Sequence, residues 1–306
     1  MPDQPARPFW RLPERDAPLI GIGLMILAMF LFSLSDAMAK WLIGGYALAQ
    51  VLLIRCAAGV ALMAPMIWRE GPRNIIAAPR PGLQALRVLL SAADVAGFYW
   101  AVRYLPLADV MTFFMATPIY AAALSWLILG EKTDWRAALA ILAGFIGVLI
   151  ALNPAGASFG WPALVAFGAS LGYTFLSMLT RVLRGTSDTS LAAWQLAGLA
   201  LMSAIFAPPH WTTPGWFDLS LMIATGALSL IAHLSINRAY KLGEVSVLAP
   251  YNYTAIIWAL LFGWIVFKDA PGTGMLIGSA IIIASGLYLF YLQRRQFRGA
   301  KPSPDR

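Results

Sequence analysis

Polar residues are sparse along this chain and fall in short bunches. Between the bunches lie apolar runs of about 20 residues, each long enough to cross ~30 Å of hydrocarbon as a helix. Ten spans are predicted, at 19–43, 47–68, 82–102, 107–129, 134–152, 159–182, 190–207, 217–239, 245–267 and 272–292. The connections are short and leave no room for a soluble domain. A helix apolar on all sides also fits a buried core helix, but ten of them in one chain define a membrane bundle. The first run is too long for a cleaved signal, and no small-x-small site follows it. The predicted class is an all-α membrane protein.

A longer period overlies the spans. Residues 101–152 and 237–291 share an order of features. Each has a basic turn with a tyrosine (Arg103-Tyr104; Arg238 to Tyr240), then an acidic residue and a valine (Asp109-Val110; Glu244-Val245). A proline-containing apolar span follows, then an acidic turn (Glu131-Lys132; Lys268-Asp269), then a Gly-rich span. Five spans per repeat is an odd number, so the second half enters the bilayer from the opposite side. The expectation is two inverted five-helix repeats, 19–152 and 159–292, around a central cavity and meeting at 153–158. A tail at 1–18 precedes them, and a basic tail at 293–306 follows.

Composition agrees: 60% of residues are hydrophobic and 12% charged. With the amino terminus placed in the cytoplasm, Arg7, Arg11, Arg15 and the basic residues of the even connections and the C-terminal tail fall on that side. Only Lys40, Arg103 and Lys268 fall on the other. This asymmetry predicts cytoplasmic termini in a bacterial-type inner membrane. It also accounts for the net charge of +8 without a nucleic-acid partner. The single cysteine, Cys56, lies within a span, so no disulfide framework is expected.

Charges at membrane depth are costly and mark candidates. Asp36 and Lys40 share a helix face, as a local ion pair, a snorkelling lysine or a cavity pair. Arg55 either counters a carboxylate such as Asp36 or braces backbone carbonyls. Asp94 sits midway along the third span with Ser91 on the same face, the best depth for a proton or amine site. Arg87 pairs with Asp94 or snorkels. Tyr99 and Trp100 end that span, as an interfacial belt or a cavity wall. His233 and Asn237 lie on the eighth span, and the histidine is either an interior hydrogen-bonding group or a titrating one. Pro118, after Thr117, interrupts the fourth span, and Pro250 the ninth. Tyr251-Asn252-Tyr253-Thr254 then forms a polar run in an apolar helix, the strongest of these signals. Gly274/Gly278, Gly168/Gly172 and Ala140/Gly144 have the small-xxx-small spacing of close helix packing. No Walker motif, metal-ligand set or distinct nucleophile is present, so no cofactor, metal or catalytic residue is expected.

Four stretches carry a resemblance: LFSLSDAMAKWL (31–42), QVLLIRCAAG (50–59), 103–150 with its Leu-Pro-Leu-Ala, mid-helix proline and Leu-Gly-Glu-Lys, and VSVLAPYNYTAIIWALLFGWIVFKDAP (245–271). Through them the chain resembles the ten-helix EamA type of the drug/metabolite transporter superfamily, over about residues 19–292. The resemblance implies a basket whose third, fourth, eighth and ninth helices line a cavity with the first and sixth, the fifth and tenth being peripheral. Lys268-Asp269 departs from the usual Gly-Glu. The chain is most similar to aromatic and neutral amino-acid exporters, with S-adenosylmethionine and riboflavin importers as near relatives. The implied function is secondary export of amino acids or related metabolites by alternating access. Tyr99, Trp100 and Tyr251 to Thr254 would contact the small-molecule substrate, with Asp94 and His233 as a protonatable pair. A membrane enzyme is the rival class, and it lacks a clustered catalytic set here. Oligomeric state is left open, a monomer being compatible with this reading.

Overall fold

The computed structural model describes residues 17–76, 80–129, 135–152, 160–183, 186–242 and 248–299. The Glu131-Lys132 turn, Glu244-Val245, the 153–158 junction, residues 1–16 and residues 300–306 lie outside them; the last helix runs on to Gly299, into the stretch expected to be a tail. The described residues are helical and contain no strand. In lipid every backbone amide needs a partner within the protein, which a helix supplies internally.

The helices are α1 (Ala17–Leu42), α2 (Leu48–Glu70), the short α3 (Pro72–Ile76), α4 (Pro81–Val102), α5 (Leu107–Met115), α6 (Thr117–Leu129), α7 (Trp135–Leu152), α8 (Trp161–Val182), α9 (Asp188–Phe206), α10 (Trp216–Leu242), α11 (Thr254–Phe262) and α12 (Thr273–Gly299). Among the described residues nine spans are long and apolar enough to cross a membrane, and a tenth apolar helix, Trp135–Ala151, is shorter. Many large apolar side chains face outward, Leu201, Ile205 and Trp264 among them, as a lipid-facing surface requires.

Local chemistry sets the ends. Pro72 and Pro81 open α3 and α4, where the missing amide costs nothing. The Ser187 hydroxyl caps α9 by accepting from the Ser190 amide at 3.1 Å. The fourth span breaks at Ala116, two residues before Pro118, so the proline sits in the first turn of α6. Pro118 has no amide to give the Phe114 carbonyl, which accepts instead from the Ala116 amide and from the Thr117 hydroxyl at 2.5 Å. The ninth span begins as a tight 3-10 turn over Ala249–Tyr253, continues as α11 and ends in a wide turn over Gly263–Phe267. Lys268 then takes the left-handed conformation (φ 59°) at the helix end, the position glycine usually fills. The next amide, of Asp269, returns to the Gly263 carbonyl at 3.0 Å. This explains the departure of Lys268-Asp269 from Gly-Glu: lysine tolerates the strained position, and the acidic residue keeps its place.

The helices pack in a recurrent scheme. The main neighbours are α1 with α10, α4 with α8, α2 with α9 and α7 with α12. Further contacts join α2 to α10, α4 to α9, α1 to α11 and α5 to α8. Renaming each span by the one five places along maps this set of pairs onto itself.

Small residues let some of these pairs meet backbone to backbone. A Cβ added to Gly278 in α12 would sit 2.6 Å from the Gly147 carbonyl oxygen of α7. A Cβ on Gly226 in α10 would collide with the Arg55 carbonyl of α2. Gly144 presses on Ile119, as its spacing predicted, but Gly168 and Gly172 face open space and are not packing contacts. Cys56 is buried between helices.

Gly278→Val should force α7 and α12 apart at a cost of about 1–3 kcal/mol. The expected reading is a drop of several degrees in the thermal midpoint of detergent-purified protein. Gly168→Val, with nothing to strike, should leave that midpoint unchanged.

Candidate substrate site

One buried polar network crosses the bundle. Tyr99 on α4 donates its hydroxyl to Asp36 Oδ1 on α1 at 2.7 Å. Arg55 on α2 donates through Nη1 to the same Tyr99 hydroxyl, through Nη2 to Ser229 Oγ on α10, and stands 3.8 Å from Asp36. Its guanidinium also lies over the Tyr99 ring, 5.5 Å from the centroid. Ser35 shares a hydrogen bond with Ser229 at 3.1 Å and also donates to the Thr225 carbonyl. Asp36 and Arg55 thus neutralise each other in a place where either charge alone is very costly. The helical spacing explains the convergence: Thr225, Ser229 and His233 lie four apart and share the face of α10 that meets α1.

Asp36 and Lys40 do not pair locally. Lys40 is at the far end of α1, where its ammonium meets Asp269 Oδ2 at 2.8 Å and the Leu105 carbonyl at 3.0 Å, over the Phe267 ring. The buried Asp109 carboxyl on α5 stands within reach of this charge pair. Two more ties lie at the same membrane face. Tyr46, between α1 and α2, donates to Asp218 at 2.6 Å, which holds its hydroxyl above its usual titration range. The Gln50 amide pairs with both backbone groups of Thr212, at 2.6 and 3.0 Å. A hollow of about 220 Å³ opens beside Lys40, lined by Trp41, Arg103 and Phe267.

His233 is exposed, one turn from Ser229, its Nδ1 2.8 Å from the Ser229 carbonyl and its ring edge-on to Phe32 at 4.8 Å. Asn237 is exposed one turn further. Tyr251 packs on the α1–α10 cluster built around Met25, Ala28 and Ala232, and Asn252 beside it is partly exposed. The rest of that polar run turns elsewhere. Tyr253 is buried with its hydroxyl against Gly286 of α12, and the Thr254 hydroxyl donates to the Tyr251 carbonyl at 2.7 Å.

Tyr99 is buried in the network, while Trp100, about 100° around the helix, packs on the exposed Tyr104 at 4.9 Å. Thr117 and Pro118 are spent on the break between α5 and α6. Asp94 is buried, with no hydrogen-bond partner for Oδ1 and with Asp36 as the charge bearing on it. Arg87 neither pairs with Asp94 nor snorkels. It donates to Thr180, the Leu191 carbonyl and Gln195 at 3.0, 2.9 and 2.9 Å. Ser229 and Ser35 carry no signal in the sequence that sets them apart from other serines.

Comparison with known proteins matches the arrangement. Residues 19–153 fit the model of the EamA-like transporter family. A riboflavin transporter of Brucella anthropi is 30% identical, over 75% of this chain and 83% of its own length. A riboflavin transporter of Vibrio cholerae is 26% identical, over 92% and 96%. An S-adenosylmethionine uptake transporter of Rickettsia felis is 23% identical, over 90% and 94%. A crystal structure shares the fold with a TM-score of 0.61 at 19% identity, over 93% of this chain and 100% of the other. With ten apolar helices among the described residues, charges buried between them and relatives aligned over most of the chain, this multi-pass membrane protein belongs to the EamA-type transporters of the drug/metabolite transporter superfamily.

Proposed function

We propose that the chain moves riboflavin, or a closely similar flat and neutral heteroaromatic metabolite, by alternating access. One observation carries the choice. The carboxylate nearest the accessible side of α1 and α10, Asp36, is already committed to Arg55 and Tyr99. The groups left facing that side are Phe32, His233, Asn237, Tyr251 and Asn252. A cationic sulfonium needs a free carboxylate there. A neutral ring system needs aromatic faces and a few hydrogen-bonding groups, which is what remains. The names of the two riboflavin-transporting relatives support the same reading.

The self-mapping set of helix pairs supports two inverted five-helix halves, 19–152 and 159–292, rocking about a midplane site. The charge asymmetry supports cytoplasmic termini in an inner membrane. In that orientation the Lys40–Asp269–Leu105 tie closes the outer face and joins the two halves. Export of amino acids, the expectation from the resemblance, is the second reading and enters the same test.

Reconstituted protein, assayed by counterflow with riboflavin, S-adenosylmethionine and tryptophan, should exchange riboflavin. Tyr251→Ala and His233→Leu should each lower that exchange several-fold. Exchange of tryptophan or S-adenosylmethionine without riboflavin would overturn the substrate and keep the transporter.

Opening the outer latch gives a separate check. Lys40→Met should slow exchange about fivefold, the factor that ~1 kcal/mol of gate stability represents. The charge swap Lys40→Asp with Asp269→Lys should recover part of it. A double variant no better than the single one would remove the ion pair from the cycle.

A further inference from the structure

A second polar feature lies apart from the network's accessible side. On α4, Gln84, Arg87, Ser91 and Asp94 follow at intervals of three, four and three, so all four share one helix face. All four are buried: Gln84 and Ser91 completely, Arg87 and Asp94 to 7% exposure. Both amide atoms of Gln84, the Ser91 hydroxyl and Asp94 Oδ1 have no hydrogen-bond partner. An orphaned buried polar atom costs about 1–3 kcal/mol, and four on a single face is far from the usual satisfaction of buried groups. Arg87, in the middle of the row, is instead held aside by Thr180, Gln195 and the Leu191 carbonyl. The row runs over eleven residues of helix, Gln84 to Asp94, about 15 Å from end to end, or half of the ~30 Å hydrocarbon. It starts at the membrane face where α1 also starts and stops at Asp94, whose charged neighbour is Asp36.

We propose that this face of α4 is a hydrated proton path, separate from the substrate route, and that Asp94 is the carboxylate at its end that couples proton movement to transport. The proposal deepens the transporter reading and rests on it. A hydronium arriving along the row gives its proton to an Asp94 carboxylate oxygen, forming the O–H bond and leaving water. The reverse step returns the proton to water when the cycle resets. Gln84 and Ser91 each donate and accept, so each can order the water that carries the proton. Sodium is a poorer fit. A hard cation takes about six oxygen ligands, and beside Asp94 this face offers only Ser91 one turn away, the Gln84 amide oxygen being about 15 Å along the helix.

The groups around Asp94 set what its charge does. From α1 it faces Asp36, and behind Asp36 stands Arg55 of α2. Arg87 is two turns away on its own helix. The stretch of α8 that packs here, 161–180, has Tyr173 as its one titratable residue, α2 adds the buried Cys56, α9 has only Asp188 at its start, and α5 only Asp109 near the far face. His233 of α10 lies beyond Ser229. An ionised Asp94 therefore adds a second negative charge beside Asp36 that the single Arg55 does not balance. A protonated Asp94 leaves Asp36, Arg55 and the tie between α1, α2, α4 and α10 undisturbed. Loading the proton favours one packing of these helices, and its loss favours another.

Two measurements test this on the full-length protein. Infrared titration of purified protein should show a buried carboxylic-acid band that rises and falls with pH and is absent from Asp94→Asn, a change of one atom in shape. This reading needs no substrate, and a band unaffected by the substitution overturns the proposal. In liposomes containing a pH-sensitive dye, riboflavin movement should carry protons. Asp94→Asn should abolish that proton signal. Ser91→Ala and Gln84→Leu should slow it about tenfold while riboflavin counterflow stays unchanged. Riboflavin exchange with no proton signal in the unmodified protein, or exchange driven by a sodium gradient, overturns the coupling and leaves the transporter standing. Absence of riboflavin exchange alongside a normal infrared titration instead removes only the substrate assignment.

Discussion

A guanidinium inside a bilayer has to be neutralised, and how Arg55 is neutralised organises this molecule. Its partners come from α1, α4 and α10, so one side chain on α2 fixes the mutual placement of four helices. The constraint is stricter than apolar packing. Leucine against leucine tolerates a rotated neighbour, whereas a buried ion pair turned out of register leaves an uncompensated charge. Tyr99 lets the pair stand 3.8 Å apart and still be joined, because its hydroxyl gives a proton to Asp36 and takes one from Arg55. Ser229 brings α10, from the second half of the chain, into the same cluster.

The far end of the bundle is held by a different kind of contact. Lys40–Asp269, Tyr46–Asp218 and Gln50–Thr212 each join a residue of the first half to one of the second. These groups lie near the membrane surface, where water compensates a broken bond, so they separate at far lower cost than the Arg55 cluster. A molecule whose core ties are expensive and whose surface ties are cheap will flex at the surface and keep its centre.

The spans and the breaks within them were legible because both rest on local chemistry. Twenty apolar residues make a crossing whatever surrounds them, and Pro118 and Pro250 interrupt a helix wherever they fall. The position of the first break, at Ala116, was not legible, since it depends on Thr117 turning back to the Phe114 carbonyl. Partners were the least legible. Asp36 and Lys40, four residues apart, look like a pair, yet each binds a residue distant in sequence. The Tyr251 to Thr254 run reads as one polar cluster, but helical rotation sends its members in separate directions, Tyr253 towards α12 and Thr254 back to its own backbone. Ser229 gave no signal because a serine acquires significance only from what packs against it. The small-xxx-small spacing shows the same limit: Gly144 and Gly278 meet a neighbour, while Gly168 and Gly172 do not.

The crossing of α7 and α12 has a mechanical meaning of its own. Gly147 and Gly278 bring two main chains into contact, with the Ile281 and Ala151 side chains packed beside them. Interlocked side chains act as teeth, and teeth must disengage before two helices turn against each other. Here two glycines remove the teeth at the closest point, while Ile281 and Ala151 keep the helices in register beside it. Such a joint clamps a helix from the first part of the chain to one from the second at the closest approach their backbones allow.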